Sequence, residues 1–281
     1  MPAAPILHVG YPKTAATWFQ QHFYPALASH VLVPQHRSLE ALSQAHFLGG
    51  DDAGDGTAAL RDCLSGKRGL PAILCDETLI GGPRHVGLGG GHAGSVAALL
   101  HRLRPDAHVV IFVRAQPAMI AANYGEYLRG GGKGSIAAYL FPDRHGPALG
   151  LHRLSRPRVR LEHFEYDRIV ACYDRLFGPA QVHVHAYEAL ASDPQGVIAA
   201  LARDLGLTLA APPPLAIRPN RSYGRRLLPA VRLANRFCLG RIVDEAPLLN
   251  LPGWYRLSRA ILARLNRPAI AGAPPTANDL L

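Results

Sequence analysis

The chain has 281 residues, with 30 Lys and Arg against 20 Asp and Glu and a formal charge of +10. That length buries a sizeable core and suits a single α/β domain. No uncharged apolar run reaches about 18 residues, and no basic stretch leads into a long apolar one near the start, so neither a membrane span nor a secretory signal is expected.

Cys63, Cys75, Cys172 and Cys238 are widely spaced and form no Cys-x-x-Cys pair. This argues against a zinc site or a disulfide framework and for a cytoplasmic location. Arginine supplies most of the positive charge, the only lysines being Lys13, Lys67 and Lys133. Such a chain suits a polyanion: a nucleotide with several phosphates, a nucleic acid or an anionic membrane surface. A GC-rich coding sequence would produce the same arginine bias.

In chain order, Ile6–Val9 is expected as a short apolar strand running into Gly10-Tyr11-Pro12-Lys13, and Ala15–Leu27 as the helix that this turn opens. A weaker strand near Val31–Val33, a helix at Leu39–Phe47 and a strand at Ala72–Cys75 follow. The glycine-rich Gly81–Gly94 reads as a loop, and Ser95–Leu103 as a helix with Ser95 as its N-cap. The strand His108–Val113 precedes a helix at Pro117–Leu128. Phe141–Arg160, rich in Pro, Arg and Leu, reads as a lid. A helix at His163–Phe177, a strand at Val182–His185 and a helix at Pro194–Leu205 complete the alternation, with Asp193 as N-cap and Pro194 in the first turn. Ala210–Pro219 is a Pro-rich connector. The chain beyond it is basic and helical through Arg225–Arg241 and Trp254–Arg267, and Pro268–Leu281 reads as a frayed tail. Alternating strands and helices predict a mainly parallel sheet covered on both faces, with ligands bound beyond the carboxyl ends of the strands.

Gly10–Thr17 has the makings of an anion cradle. A strand turns into a helix, whose first N–H groups and dipole favour negative charge, and Lys13 adds a cation. The pattern Gly-x-x-x-x-Gly-Lys-Ser/Thr is absent, so this is not a Walker A loop. An ordinary turn with a surface lysine is the plainer reading of the same residues. Arg114 ends an apolar strand and so projects from the carboxyl edge of the sheet, where its planar guanidinium suits a phosphate monoester. Asp76 and Glu77 directly follow the strand Ala72–Cys75, and alternation points them to opposite faces. Either supplies a carboxylate for general base work, or a cap or salt bridge. His183 and His185 share one side of their strand, but two ligands make no zinc site. His85 and His92 lie in the glycine-rich loop and rank below Glu77 as bases.

These motifs, in this order, resemble the sulfotransferases that use 3'-phosphoadenosine 5'-phosphosulfate (PAPS), and the bacterial ones in particular. Strand, Gly-x-Pro-Lys, three residues, then Thr resembles their 5'-phosphosulfate loop. Arg114 and Tyr124 match the 3'-phosphate motif, in which a Ser stands eight residues after the Arg. A late basic loop, here Arg218-Pro-Asn-Arg221-Ser222-Tyr223, is similar to the segment they bring over the 3'-phosphate and adenine. Phe177-Gly178, Tyr187-Glu188-x-Leu190, Asp193-Pro194 and Leu205-Gly206 match a further, architectural stretch.

The resemblance implies one α/β domain over residues 1–281, a P-loop-NTPase-like three-layer α/β/α core with a C-terminal helical segment. Residues 1–210 would form the core, 211–267 the basic loop and helices, and 268–281 a flexible tail. Tyr11, Pro12, Lys13, Thr14, Ala15, Ala16 and Thr17 would hold the phosphosulfate, and Arg114, Asn123, Arg221 and Ser222 the 3'-phosphate end. Lys13 would stabilise the leaving phosphate, and Glu77, preferred to Asp76, would be the base. PAPS would be the donor with no metal, and the acceptor a carbohydrate, lipid-linked sugar or small metabolite.

Three departures matter. The family usually has Gly at Ala15, a hydroxyl residue at Ala16 and Ser at Ala122. Each missing hydrogen bond to a charged group costs on the order of 1.5–3 kcal/mol, with water or Asn123 as a replacement donor. These losses and the basic C-terminal helices motivate a second reading, a degenerate nucleotide-binding or membrane-surface partner protein. A P-loop-like kinase is a weaker third. No helix-turn-helix, zinc finger or aromatic RNA platform supports nucleic-acid recognition.

Overall fold

The computed structural model describes residues 4–37, 41–42, 54–77, 79–80, 93–141, 161–214, 223–240 and 247–267. Most of the expected helix at Leu39–Phe47, of Gly81–Gly94 and of the Phe141–Arg160 lid, together with Arg221 and Ser222 of the late basic loop and the 268–281 tail, lie outside them. The chain divides into two compact units. The first comprises 1–82, 90–115 and 165–219; the second 83–89, 116–164 and 220–281.

The first unit is built on five strands: β1 Ile6–His8, β2 Val31–Leu32, β3 Ala72–Cys75, β4 His108–Val113 and β5 Val182–Ala186. They form one all-parallel sheet in the order β2-β3-β1-β4-β5. β1 therefore lies between β3 and β4, where the strand order reverses. That switch point sets a crevice at the carboxyl ends of the strands. In register, His8 pairs with Cys75 on one side and Val110 on the other.

Strand alternation divides the core. Ile6, Ile73, Cys75, Val110 and Phe112 share a cluster with Trp18, Phe19, Phe23, Leu190, Ile198 and Leu201. These come from α1, Ala16–Trp18, and its continuation, and from α7, Tyr187–Ser192, and α8, Pro194–Asp204. The buried Leu7, Leu74, Val109 and Ile111 alternate with them toward the opposite face. Helices packed with β3, β4 and β5 cover that face: α2 Gly54–Ser65 lies on β3 and α6 Tyr166–Phe177 on β4 and β5, with α3 Ala93–Leu103 packed against α6. Asp193 caps α8, its Oδ1 accepting the Gly196 N–H at 2.9 Å.

Three local expectations are corrected. The helix after the first loop is α-helical only over Ala16–Trp18, and Phe19–Phe23 is a π-helical turn followed by a 3₁₀ turn at Tyr24–Ala26. The widened turn accommodates Phe19 and Phe23, both fully buried. Helix α3 starts at Ala93, so Ser95 lies within its first turn instead of capping it. Helix α2 was not expected; its Gly-Asp-Gly start hides a pattern carried by buried Leu60 and Leu64, four residues apart.

The second unit contains α4 Gln116–Arg129, α5 Ile136–Leu140, α9 Leu228–Asn235 and α10 Trp254–Leu265. The last carbonyls of α4 have no intrahelical donor. Asn235 Nδ2 donates to Leu128 O at 2.8 Å, Tyr255 Oη to Arg129 O at 3.0 Å, and Arg259 Nε to Arg129 O at 3.2 Å. The end of α4 is thus tied to both C-terminal helices. No helix among the described residues is long and apolar enough to cross a membrane.

Candidate functional site

The switch point carries the loop Gly10–Thr17. The β1–β4 ladder continues past His8, with Val9 N donating to Val110 O at 3.0 Å and Tyr11 N to Phe112 O at 3.3 Å. Gly10 has a steric reason to lack a side chain: a Cβ there would come 3.0 Å from His8 Nε2 and 3.2 Å from Phe112 N. Beyond it the loop is closed from within. Thr14 is fully buried and its hydroxyl donates to Tyr11 O at 2.5 Å. Lys13 and Ala15 both adopt left-handed backbone, at φ 68° and 74°. Ala15 N-caps α1 without a side-chain hydrogen bond. Thr17 is exposed in the first helical turn, where the Trp18 N–H bonds Ala15 O at 2.9 Å.

The alanines at 15 and 16 have different consequences. Ala15 keeps the left-handed conformation that glycine would take freely, at a cost of about 1–2 kcal/mol. Ala16 is buried in the apolar cluster, so its methyl packs where a hydroxyl residue was expected.

Arg114 follows the last residue of β4 and reaches back to this loop. Its Nη1 lies 3.5 Å from Lys13 O, a long contact. The guanidinium carbon sits 5.0 Å from the centre of the Tyr187 ring, a cation–π pair. Tyr166 donates its hydroxyl to Arg114 O at 2.7 Å, and Ala115 N donates to Glu188 Oε1 at 3.1 Å. Tyr166 also meets Tyr11 edge to face, with ring centres 4.8 Å apart. The Tyr187-Glu188 dipeptide, read in sequence as architectural, is part of the seat of Arg114. Arg114 Nε is buried and without a hydrogen-bond partner. A buried, unpaired donor on a cation beside a strand-to-helix turn fits an anionic ligand.

β3 delivers the two carboxylates. Asp76 is buried and its N–H bonds His8 O at 3.2 Å, so it continues the sheet. Glu77 is partly exposed one residue further on. Of the two, Glu77 is the carboxylate within reach of solvent. Gln20, on the π turn, donates to Cys75 O at 2.7 Å and braces the strand end.

His8 escaped the sequence reading. It lies directly beneath the loop and is buried. Its Nδ1 is 2.7 Å from Tyr24 Oη, and Phe19 and Phe112 pack on its ring. Burial, reinforced by His185, lowers its pKa to about 3, so it is neutral. Its Nε2 has no partner. His183 and His185 share one side of β5 as expected, but His183 Nε2 contacts His108 Nδ1 at 3.1 Å. No group of three or more His, Cys, Asp or Glu side chains with metal-binding geometry occurs among the described residues.

Asn123 and Tyr124 belong to the second unit. Asn123 is buried, its Nδ2 donates to Met119 O at 3.0 Å within α4, and its Oδ1 is unpaired. The unpaired atom is an acceptor, the wrong polarity for a phosphate. Ala122 is also buried. Tyr124 donates to Gly134 O at 3.0 Å and packs against Tyr127 and Tyr139, a structural role.

No protein-family model matches the sequence, and no curated protein matches it. Among solved structures, a sulfotransferase from Alicyclobacillus acidocaldarius is similar over 78% of this chain and 87% of that one, with a TM-score of 0.53 at 17% identity. The sulfotransferase domain of the Synechococcus PCC 7002 olefin synthase covers 94% of each chain, with a TM-score of 0.42 at 15% identity. The sulfotransferase domain from the curacin biosynthetic pathway covers 94% of this chain and 98% of its own, with a TM-score of 0.40 at 12% identity. The first of these likenesses establishes the fold: the chain has the α/β fold of a sulfotransferase, built on its all-parallel central sheet.

Proposed function

We propose that this protein transfers a sulfuryl group from PAPS to a hydroxyl or amine of a carbohydrate, a lipid-linked sugar or a small metabolite. The observation that carries the reading is the seat of Arg114, a cation with a buried unpaired donor, against the Lys13 carbonyl of the loop. Both stand at the switch point of a sulfotransferase fold, where ligands of parallel sheets bind.

When bound, PAPS supplies the sulfuryl group, and 3'-phosphoadenosine 5'-phosphate is the leaving group. Glu77 takes the proton of the acceptor hydroxyl as its oxygen forms the new bond to sulfur. The bond from sulfur to the 5'-phosphate oxygen breaks, and that oxygen keeps the electron pair. Lys13, the Thr17 hydroxyl and the N–H groups of the first turn stabilise the charge that collects there. Positioning on a preformed loop contributes much of the rate. Arg114 holds phosphate. The contacts assigned to Asn123, Arg221 and Ser222 rest on the sequence resemblance alone, and the Met119 bond of Asn123 weighs against its share. Burial drives the Tyr11 and Tyr166 hydroxyls above their ordinary pKa, so both stay neutral beside an anion.

The competing reading, a degenerate binding protein, draws on Ala15, Ala16 and Ala122. The left-handed backbone of Ala15 favours the enzyme, since the turn keeps the conformation that glycine would allow. All four cysteines are free thiols, which fits a reducing cytoplasm. The test is release of 3'-phosphoadenosine 5'-phosphate from PAPS across a panel of hydroxyl and amine acceptors. Acceptor-dependent release that is lost in Lys13→Ala supports transfer, and equal release by the variant removes Lys13 from the chemistry.

A further inference from the structure

Large apolar side chains in contact with solvent are concentrated in one part of the second unit. Of eleven among the described residues, eight lie between Leu233 and Leu265. Six of these fall into two groups that adjoin in the sequence. The stretch Leu248–Leu251 is held along the stretch after α9. Leu248 N donates to Arg236 O at 2.8 Å, Leu251 N to Phe237 O at 3.0 Å, and Leu239 N to Asn250 Oδ1 at 3.3 Å. Leu248 and Leu249 are nonetheless 75% and 58% exposed. Ordered backbone thus holds these leucines outward.

Helix α10 follows at once, from Gly253. Its Ser258 and Leu262 are buried, and Tyr255 and Arg259 bond the end of α4. Leu257, Ile261 and Leu265, spaced i, i+4 and i+8, form a second stripe that is exposed. Exposed Arg256, Arg264 and Arg267 stand beside it. From Tyr223 to Arg267 the sequence has nine arginines and two acids, Asp244 and Glu245.

We infer that α10 and the Leu248–Leu251 stretch form a docking surface for an anionic lipid bilayer. An exposed apolar stripe inside a basic surface is matched by hydrocarbon beneath negative headgroups. Arginine stems lie along the apolar layer while their guanidinium groups reach the phosphates. A second copy of the chain fits less well, because a two-fold contact would set the same excess of arginines against itself. Twelve residues of helix extend about 18 Å, too short to span a bilayer, so α10 lies along its surface. The surface is independent of the sulfuryl transfer proposed above.

The experiment is flotation of the full chain with phosphatidylcholine vesicles, with and without phosphatidylglycerol, together with light scattering of the protein alone. Binding should be at least about tenfold tighter to the phosphatidylglycerol vesicles and weaken with salt. The double variants Leu257→Ser with Ile261→Ser, and Arg256→Gln with Arg264→Gln, should each lose about tenfold while their thermal midpoints stay at the wild-type value. Absent or charge-independent binding overturns the inference. So does a dimer that the Leu257→Ser, Ile261→Ser variant splits, which would give the face to a second copy.

Discussion

Arg114 Nη1 lies 3.5 Å from the carbonyl oxygen of Lys13, joining the end of β4 to the turn after β1. The two cations are thereby brought to one loop from positions 101 residues apart in the chain. The carbonyl partly offsets the charge of the guanidinium, and Tyr187 and Tyr166 hold its approach. Replacing Arg114 with alanine should weaken binding of 3'-phosphoadenosine 5'-phosphate by about 10- to 150-fold, the range for lost hydrogen bonds to a charged group. Arg114→Lys should recover only part of this, because an ammonium cannot reproduce the planar fork. Isothermal titration of the three proteins measures it.

Lys13 is assigned to the charge that develops as the donor bond breaks. Lys13→Ala should therefore lower kcat by about 10²–10³, with a smaller change in the KM of the acceptor. Steady-state kinetics on any acceptor found by the panel decides this. A rise in KM alone would make Lys13 a binding residue.

Ala15 sits at φ 74°, ψ 18°, where a Cβ is strained. Ala15→Gly relieves about 1–2 kcal/mol and returns part of it as unfolded-state entropy. The variant should be more stable by roughly 0.5–1 kcal/mol, read as a higher urea midpoint. Nucleotide affinity should stay the same or rise, since the turn already holds the conformation that glycine prefers.

His8 makes stability depend on pH. Its folded pKa is lowered from 6.5 to about 3 by burial and by His185. Between those values the unfolded chain binds the proton and the folded chain does not, so stability rises with pH. His8 destabilises nothing above about pH 7 and removes roughly 1.4 kcal/mol per pH unit as pH falls below its unfolded value. His30, His108, His183 and His185, each lowered chiefly by burial, steepen the loss. Urea midpoints at neutral pH and at about pH 5 should diverge in the wild type and diverge less in His8→Gln, where the other histidines still act. An unchanged slope in the variant would show that His8 is not the titrating group.

Much of the sheet and of the loop was legible in the sequence. β3 and β4 were read to the residue, because each is an apolar run ended by polar or turn-forming neighbours. The ordering of Lys13 and Arg114 at the strand ends followed from the same pattern. Other features carry no local mark. The π turn at Phe19–Phe23 depends on fitting two phenylalanines against the sheet. The left-handed backbone of Lys13 and Ala15 occurs without glycine, so no residue type announced it. The seat of Arg114 is formed by Tyr166, 52 residues further along, and by Tyr187. His8 looked like one polar residue in an apolar strand; burial and the Tyr24 bond give it its role.

The central claim is that the loop and Arg114 together bind the PAPS nucleotide. Titrating the full protein with 3'-phosphoadenosine 5'-phosphate by calorimetry, with AMP and ATP as controls, tests it most directly. The account predicts saturable binding that is selective for the 3'-phosphorylated nucleotide and weakened in Arg114→Ala. No binding at millimolar ligand, or equal binding of all three nucleotides, would contradict it.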